Sequence, residues 1–296
     1  MHKKLIMLLL LAHSLVASAE PNEAVTLKQE SELTSLVLKN TKSPKLRSSI
    51  ALIYDEQGQR ALYSKNADTV APIASISKLM TAMVVLDAKL PMDEEIRITS
   101  QDVDTLKGTH SRMRPGMTLT RGELIQVALM ASENRAAAAL ARTYPGGSEA
   151  AIAKMNAKAH ELGMMNTRFL DPTGLNSGNV STAQDLVKMV LAAQNYEAIH
   201  NATTSSSHIA EPAGYRPLLY KNTNPLVRNT SWDISVSKTG YINEAGRCLV
   251  MKANIKQRPV VIVLLDSWGK STRIGDANRI KKWIESALVI RNVRRG

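Results

Sequence analysis

Strand-like patterns lie at the two ends of the chain. Residues 49–54 and 60–64 are short apolar runs joined by the glycine-containing turn 55–59, which is typical of an antiparallel hairpin. Three more strands are predicted near the end of the chain, at residues 232–239, 247–256 and 259–266. The last of these contains the β-branched run 260–263, which suits a strand buried on both faces. We therefore expect strands from both ends of the chain to form one sheet.

The middle of the chain is predicted to be mostly helical. A helix is expected to open at Ser75, because the run 79–86 has the apolar spacing of a buried helix, and to end near Pro91. Residues 203–207 are expected to form a loop. The elements predict a mixed α/β fold, an antiparallel sheet flanked by helices, with a helical insertion at about 97–215. Further helices are predicted after the capping box 120–123, over the alanine-rich run 136–141, over 148–162, from Ser181 or Thr182 onwards, and over about 276–289.

The first residues, 1–19, are predicted to be a signal peptide. A basic start, a short apolar core and the small residues 17–19 follow one another as in an export signal. The core is too short to span a bilayer, so we expect the chain to be exported and cleaved before Glu20. Residues 20–47 are a polar lead-in, expected to be a tether or a loosely packed segment. Residues 48–296 then suit one large domain.

Charge and composition limit the kinds of partner. The formal net charge of +12 falls to +10 once Lys3 and Lys4 are removed with the signal peptide. Nucleic acid fits poorly with an exported chain of 4% aromatic residues, since single-strand binders stack bases on aromatic side chains. An anionic polymer or membrane surface outside the cytoplasm suits this charge better. The six histidines and one cysteine show no metal-ligand spacing, so we expect no metal site.

The candidate nucleophiles are one cysteine and one serine. Cys248, the only cysteine, excludes an internal disulfide, and its apolar neighbours favour a buried structural thiol. Ser75 is followed one helical turn later by Lys78, whose amine can reach the hydroxyl and act as its base. The helix N-terminus offers positive potential to an oxyanion, and apolar neighbours favour the neutral amine. The alternative for this pair is an N-cap serine followed by a solvated lysine.

Two further S-x-x-K sequences lack this helical setting. Residues 235–238 lie in a strand pattern, where side chains three apart point to opposite faces, and residues 267–270 include a glycine in a predicted loop. Only Ser75 therefore has its lysine on the same face.

Two polar triplets lie where apolar residues are expected. Residues 132–134, Ser-Glu-Asn, interrupt an otherwise apolar helical region, where polar side chains need partners; a simple break between helices is the alternative. Residues 238–240, Lys-Thr-Gly, are predicted to end a strand in which Ile234, Val236 and Lys238 share one face. A lysine that continues an apolar face is expected to line a cleft.

The three motifs in this order resemble a known family. S-x-x-K at 75–78, S-x-N at 132–134 and K-T-G at 238–240 are the ordered signature of penicillin-binding proteins and serine β-lactamases. The resemblance covers nearly all of the predicted mature chain and is greatest to the low-molecular-mass D-alanyl-D-alanine endopeptidases. It implies a β-lactamase/transpeptidase-like fold and a periplasmic serine DD-endopeptidase that needs no cofactor. It also implies peptidoglycan peptides as substrates and β-lactam antibiotics as covalent inhibitors.

The resemblance implies roles for the first two motifs. Ser75 looks like the acylated nucleophile and Lys78 like its base. Ser132 is similar to the residue that relays a proton to the leaving amine, and Asn134 to the one that hydrogen-bonds the substrate and the catalytic lysine. The backbone N–H groups of Ser75 and Tyr241 are implied to form the oxyanion hole.

The third motif and a later arginine resemble substrate-binding groups. Lys238 is implied to supply positive charge near Ser132 and the substrate carboxylate, and Thr239 to offer that carboxylate a hydroxyl. Gly240 is implied to let a backbone approach closely. Arg273 falls at about the position where carboxypeptidase relatives have a clamp for a free carboxylate. A solvated arginine near a helix start is the alternative.

Other functions on the same scaffold remain open. A D-alanyl-D-alanine carboxypeptidase uses the same groups, and pairing with Arg273 favours a terminal carboxylate. Class A β-lactamases carry a glutamate in an E-x-x-L-N stretch, which the comparable residues 169–176 lack, so we expect bound penicillin to leave slowly. A non-catalytic wall-binding module is disfavoured, because all the expected side chains are present. The chain ends soon after its last predicted helix, so we expect no stable membrane anchor.

Overall fold

The structure is a computed structural model that describes residues 41–293, with side chains described as far as Leu288. The predicted signal peptide, residues 1–19, and residues 20–40 of the predicted lead-in lie outside the described residues. Within the described part, no helix has the length and apolar character that crossing a bilayer requires.

A central antiparallel sheet of five strands joins the two ends of the chain. Its order is β2-β1-β11-β10-β9. The predicted hairpin forms one edge of the sheet, and its first strand pairs with the last of the three late strands, as expected. In the pairing of the first and last strands, Ile50 lies opposite Leu265 and Asp55 opposite Val260. The strands, in chain order, are β1 (Ile50–Asp55), β2 (Arg60–Lys65), β3 (Ala71–Pro72), β4 (Glu95–Arg97), β5 (Thr118–Thr120), β6 (Val180–Ser181), β7 (Ser207–Ala210), β8 (Leu218–Lys221), β9 (Asp233–Ile242), β10 (Gly246–Ile255) and β11 (Arg258–Ser267).

Helices cover both faces of this sheet. They are α1 (Lys78–Asp87), α2 (Arg121–Met130), α3 (Asn134–Arg142), α4 (Gly147–Glu161), α5 (Ala183–Ala193), α6 (Glu197–Thr204) and α7 (Thr272–Val293). On one face Ile280 and Ile284 of α7 pack with Ile53 and Ile262 in a buried cluster. The larger cluster on the other face unites the remaining helices with Val263 and its neighbours. Alternate strand residues enter the two clusters, because side chains along a strand point to opposite faces.

Several predicted helix signals are confirmed. The hydroxyl oxygen of Thr120 accepts from the N–H of Glu123 at 3.2 Å, while the N–H of Thr120 donates to the Glu123 carboxylate at 3.0 Å. Gly163 follows α4 with φ of +69°, a left-handed conformation that ends the helix. Thr182 caps α5 by accepting a hydrogen bond from the N–H of Asp185. Local capping chemistry therefore sets these helix ends.

The predicted loop at 203–207 is shorter than expected and comprises only residues 205 and 206. α6 continues to Thr204, and β7 begins at Ser207. Ile199 and Ala202 of α6 are fully buried, and the helix packs against α2. This tertiary burial overrides the low helix propensity of the polar residues at its end.

Strand β9 differs from its prediction in two ways. The triplet 238–240 lies inside the strand rather than at its end, because β9 continues to Ile242 and pairs with β10 over that length. Ile234 and Val236 pair with consecutive residues of β10, which leaves Ser235 as the extra residue of a β-bulge. The bulge shifts the alternation by one, so Ile234 and Val236 lie in different clusters instead of sharing a face.

Helix α7 begins earlier than predicted and holds the end of the lead-in. Asp276, fully buried, accepts hydrogen bonds from the N–H of Arg47 at 3.1 Å and from the N–H of Ser48 at 2.7 Å. Leu46 is buried in the cluster beneath α7. The end of the lead-in, at Leu46 and Arg47, is therefore held against the domain by an apolar contact and by hydrogen bonds to a buried carboxylate.

The loop between α4 and β6 packs against the turn that precedes α1. The Asp171 carboxylate accepts a hydrogen bond from the N–H of Gly174 at 3.1 Å. The side chain of Asn179, fully buried, donates to Ser77 Oγ at 2.9 Å. Gly174 has φ of +80°, and a Cβ there would lie 2.0 Å from the carbonyl oxygen of Ala74. The loop therefore fixes the position of this turn.

Replacing Gly174 by alanine is expected to disrupt this contact. The added Cβ overlaps the Ala74 carbonyl, so the free energy of unfolding should fall by about 3 kcal/mol. Gly214→Ala is the matched control, because Gly214 also has a positive φ, +74°, but no atom within 4 Å. The control should lose only about 1 kcal/mol. Thermal denaturation of both variants measures the difference, and equal losses contradict the close packing of Gly174.

Candidate active site

Ser75 lies in a 3-10 turn, Ala74–Ser77, that leads directly into α1. Ala74 has φ of +48°, a left-handed conformation that a non-glycine residue rarely adopts. Nζ of Lys78, the first residue of α1, donates to Ser75 Oγ at 2.8 Å. The two side chains are 8% and 1% exposed, respectively, so the alternative of an N-cap serine with a solvated lysine is wrong. The rise of one helical turn brings the pair together, as predicted.

Two further oxygens surround the Lys78 amine. Its Nζ donates to Asn134 Oδ1 at 2.7 Å and to the carbonyl oxygen of Thr173 at 2.6 Å. Burial lowers the pKa of Lys78 to about 8, and this effect exceeds the opposite one of the Asp171 and Glu133 carboxylates. The amine is thus much easier to deprotonate than an ordinary lysine.

Ser132 and Asn134 lie in the break between α2 and α3. Ser132 has φ of +61°, and its Oγ accepts a hydrogen bond from Lys238 Nζ at 2.8 Å. Asn134 opens α3, contacts Lys78 through Oδ1, and donates from Nδ2 to Thr109 Oγ1 at 2.9 Å. The triplet is therefore a break between helices as well as a place where two polar side chains face two lysines.

Lys238 lines the cleft, as predicted from the apolar pattern of its strand. It is 1% exposed, and its Nζ also donates to the carbonyl oxygen of Thr239 at 2.9 Å. Burial, followed by the charges of Lys78 and Arg273, lowers the pKa of Lys238 well below that of an ordinary lysine. Two other cationic side chains therefore act on Lys238 at this site.

The rest of the third motif faces the turn Ala74–Ser77, which contains Ser75 and is called the nucleophile turn. A Cβ on Gly240 would lie 3.2 Å from the backbone nitrogen of Ser75, so a glycine suits the narrow space between the two backbones. Thr239 Oγ1 donates to Thr223 Oγ1 at 2.7 Å. The side chain of Tyr241 is half-exposed just beyond this approach.

Arg273 lies in the first turn of α7 and is only 8% exposed, so the solvated alternative is wrong. The early start of α7 accounts for this, because it brings the side chain onto the sheet. Its Nε and Nη1 atoms have no hydrogen-bond partner among the described residues. Burial, and then the charge of Arg247, lowers its pKa. Arg273 influences Lys238 electrostatically, although no hydrogen bond in the described part joins it to the other candidate residues.

Several groups that complete the site were missed from the sequence. They are the Thr173 carbonyl, the Asp171 carboxylate that shapes its turn, the Asn179 amide that binds the nucleophile turn, and the hydroxyls of Thr109 and Thr223. The Asp-Pro-Thr-Gly sequence that includes Asp171 and Thr173 is typical of a tight turn. That signal identifies the turn, but it does not indicate what the turn packs against.

The remaining candidate groups show no comparable arrangement. Cys248 is fully buried, its Sγ donates to the carbonyl oxygen of Ala245, and burial raises its pKa to about 11, as suits the predicted structural thiol. Ser235 lies in the bulge of β9, and Ser267 ends β11, where its Oγ lies 2.7 Å from Ser48 Oγ. Across the part of the chain with described residues, no three His, Cys, Asp or Glu side chains are grouped to hold a metal ion.

Comparisons with known proteins agree with this geometry. A model of the D-alanyl-D-alanine carboxypeptidase family, peptidase S11, matches residues 37–269. A D-alanyl-D-alanine endopeptidase of Pseudomonas aeruginosa is 44% identical over 286 residues, which are 96% of this chain and 87% of that protein. One of Escherichia coli K12 is 47% identical over 250 residues, 83% of this chain and 80% of that protein. The crystal structure of the Streptomyces K15 DD-transpeptidase has a TM-score of 0.77 and 28% identity, covering 83% of this chain and 100% of that one.

The family match and the geometry concern the same part of the molecule. The matched residues include Ser75, Ser132 and Lys238, whereas Arg273 lies just beyond them. The likeness to the Streptomyces structure confirms the predicted transpeptidase-type fold. The chain therefore belongs to the D-alanyl-D-alanine carboxypeptidase family of serine peptidases, peptidase S11.

Proposed function

We propose that this protein is a periplasmic serine DD-peptidase that hydrolyses D-alanyl bonds in peptidoglycan peptides through an acyl-enzyme at Ser75. The proposal rests on the position of Lys78 Nζ, 2.8 Å from Ser75 Oγ and bound to oxygens of Asn134 and Thr173. The relatives named endopeptidases support cross-linked peptides as the main substrate. The predicted export signal, and the net charge of +10 that remains once Lys3 and Lys4 are removed with it, suit an anionic polymer outside the cytoplasm.

Lys78 is proposed to act as the base in its neutral form. A neutral amine has two N–H donors and one lone pair. The oxygens of Asn134 and Thr173 take the two donors, and the lone pair then accepts the Ser75 hydroxyl proton. With a pKa of about 8, roughly a tenth of the amine is neutral at pH 7. An ordinary lysine has only about three parts in ten thousand in that form.

The proposed reaction has two stages. Ser75 Oγ forms a bond to the D-alanyl carbonyl carbon while its proton passes to Lys78, and the backbone N–H groups of Ser75 and Tyr241 stabilise the oxyanion. The bond to the amine then breaks: Ser132 Oγ gives its proton to that amine and receives the proton held by Lys78, while Lys238 stabilises the charge on Ser132 Oγ during the transfer. Water next adds to the acyl carbon, which releases a carboxylate and restores the serine.

Substrate binding is proposed to use the third motif and Arg273. The positive charge of Lys238 and the hydroxyl of Thr239 lie at one side of the cleft, and Asn134 offers an amide to the bound peptide. The buried Nε and Nη1 atoms of Arg273 have no partner in the described protein, so a carboxylate beside the scissile bond supplies the acceptors they lack. A terminal D-alanine presents such a carboxylate openly, whereas in a cross-link it lies beside a bulky side chain.

β-Lactams are proposed to acylate Ser75 and to leave slowly. The loop at 169–176 lacks the glutamate of class A β-lactamases, and its one carboxylate, Asp171, already accepts from the N–H groups of Thr173 and Gly174. Because these bonds already occupy its oxygens, Asp171 is not placed to take a proton from a hydrolytic water. The protein is therefore expected to be inhibited by penicillin rather than to destroy it.

Penicillin treatment is expected to add one adduct, at Ser75, that intact-protein mass spectrometry detects. Ser75→Ala should show no adduct, and Ser235→Ala, which alters another S-x-x-K serine, should label like the wild type. Digests of purified muropeptides should change with the wild type and not with Ser75→Ala. A wild type that never labels contradicts the proposal, as does rapid turnover of nitrocefin; identical muropeptide digests favour a non-catalytic wall-binding module.

The rate of penicillin acylation is expected to rise with pH. Because the neutral form of Lys78 is reactive and its pKa is lowered to about 8, the rate should increase through about pH 8 and then level off. The second-order rate constant with a fluorescent penicillin, measured from pH 6 to 10, tests this. A midpoint near 10.5, the usual lysine value, contradicts the assignment of the base.

Arg273→Ala is expected to reduce trimming of a monomeric pentapeptide about tenfold or more, because a charged hydrogen-bonding partner of the terminal carboxylate is lost. Cleavage of a cross-linked dimer by the wild type should be faster than trimming of the pentapeptide. Chromatography of both digests measures the two rates, with Lys282→Ala, an exposed change on the same helix, as the control. Faster trimming than dimer cleavage by the wild type overturns the endopeptidase assignment.

A further inference from the structure

The ends of three strands form an exposed surface just beyond the cleft. Tyr241 of β9 pairs with Arg247 of β10, and Arg247 in turn pairs with Ser267 at the end of β11. Trp268 follows at once and is 91% exposed, while Tyr241 is 50% exposed. We call Tyr241, Arg247 and Trp268 the strand-end surface. It begins one residue after Gly240, which touches the nucleophile turn.

Arg247 is held over a ring and lacks an acidic partner. Its Cζ atom lies 4.4 Å from the centre of the Tyr241 ring, a distance typical of a cation–π contact. Its guanidinium makes no salt bridge and no side-chain hydrogen bond with any residue between 41 and 288. The stacking fixes the direction of the side chain, so its N–H donors remain available to an anion.

Arg247 and Arg273 form an uncompensated pair of positive charges. Arg273 is 8% exposed, with two nitrogens lacking hydrogen-bond partners in the described protein. The charge of Arg247 lowers its pKa further, which means that the two guanidinium groups interact repulsively. Two like charges that form no salt bridge with a described residue favour a ligand that brings more than one negative charge.

The two kinds of peptide substrate differ in the number of carboxylates on the group that leaves. A monomeric pentapeptide loses a single amino acid, whose one carboxylate lies beside the scissile bond. A cross-linked dimer loses a whole peptide, which has a carboxylate beside the scissile bond and at least one more at its own end. Only the second leaving group extends past Arg273 and presents a second anion.

We propose that the strand-end surface binds the amine-side peptide of a cross-linked dimer, with Arg247 pairing with the second carboxylate of that peptide and Trp268 packing against its apolar atoms. The inference rests on the proposed function and adds a determinant of substrate choice to it. Arg273 serves the carboxylate that both substrates share, whereas Arg247 serves one that only the cross-linked substrate has. The surface thus favours endopeptidase over carboxypeptidase activity.

Arg247→Gln tests the proposal, with Lys256→Gln as its matched control. Both changes remove one positive charge from β10 or its end, but Lys256 lies just past Ile255, at the opposite end of the strand. For Arg247→Gln we expect kcat/KM on a purified cross-linked dimer to fall about tenfold, mainly through KM. Trimming of a monomeric pentapeptide and acylation by penicillin should change less than about twofold. Lys256→Gln should resemble the wild type on all three.

Equal losses of kcat/KM on dimer and pentapeptide overturn the proposal, because they show that Arg247 binds the carboxylate that both substrates share or is needed for the fold. An unchanged rate on the dimer overturns it as well. If Arg247→Gln does not fold, as judged by Tm, Trp268→Ala replaces it, since a side chain 91% exposed is not needed for folding. Trp268→Ala should lower kcat/KM on the dimer alone, by about threefold. A value on the dimer equal to that of the wild type overturns the proposal. If the wild type trims pentapeptide but leaves the dimer intact, the proposed endopeptidase function is wrong. The wild-type rates on the two substrates therefore test that function separately from the role of Arg247.

Discussion

The enclosure of one amine, that of Lys78, is the constraint on which the rest of the structure depends. A lysine nitrogen that is 1% exposed needs oxygen acceptors, because an unpartnered charge inside a protein is strongly unfavourable. Three acceptors meet it, one each from Ser75, Asn134 and Thr173. The turn before α1, the break before α3 and the loop before β6 must therefore converge on a single nitrogen.

The sheet provides the opposite wall of this enclosure. Lys238 is buried on β9 and binds Ser132, so two lysines approach the cleft from two sides, and the charge of Lys78 lowers the pKa of Lys238. The backbone strain at Ala74 and Ser132, both with positive φ, occurs at the two points where the chain must turn to present a side chain to these lysines. Packing of the helices on the sheet offsets that strain.

The sequence predicts what depends on local spacing. The hairpin, the late strands and the capped helices follow from apolar periodicity and from cap residues, and the pair Ser75 and Lys78 follows from one turn of helix. The meeting of Ser132 with Lys238 has no local signal, and it was expected only through family resemblance. The bulge at Ser235, the early start of α7 and the Thr173 carbonyl were missed, because they depend on pairing register, tertiary packing and a backbone atom that no side chain marks.

The pairing of β1 with β11 has a consequence for when the enzyme becomes active. Ile50 pairs with Leu265, and the contacts of Lys78 with Asn134 and Thr173 span 56 and 95 residues of chain. Structures dominated by such distant contacts form late, because the entropy cost of closing long loops comes before the contacts can stabilise the fold. A chain that lacks its last strand, β11, has nothing to join β1 to β10, so β9 and Lys238 are not yet attached to the rest of the sheet. The candidate active site is therefore complete only once the last third of the polypeptide has been made.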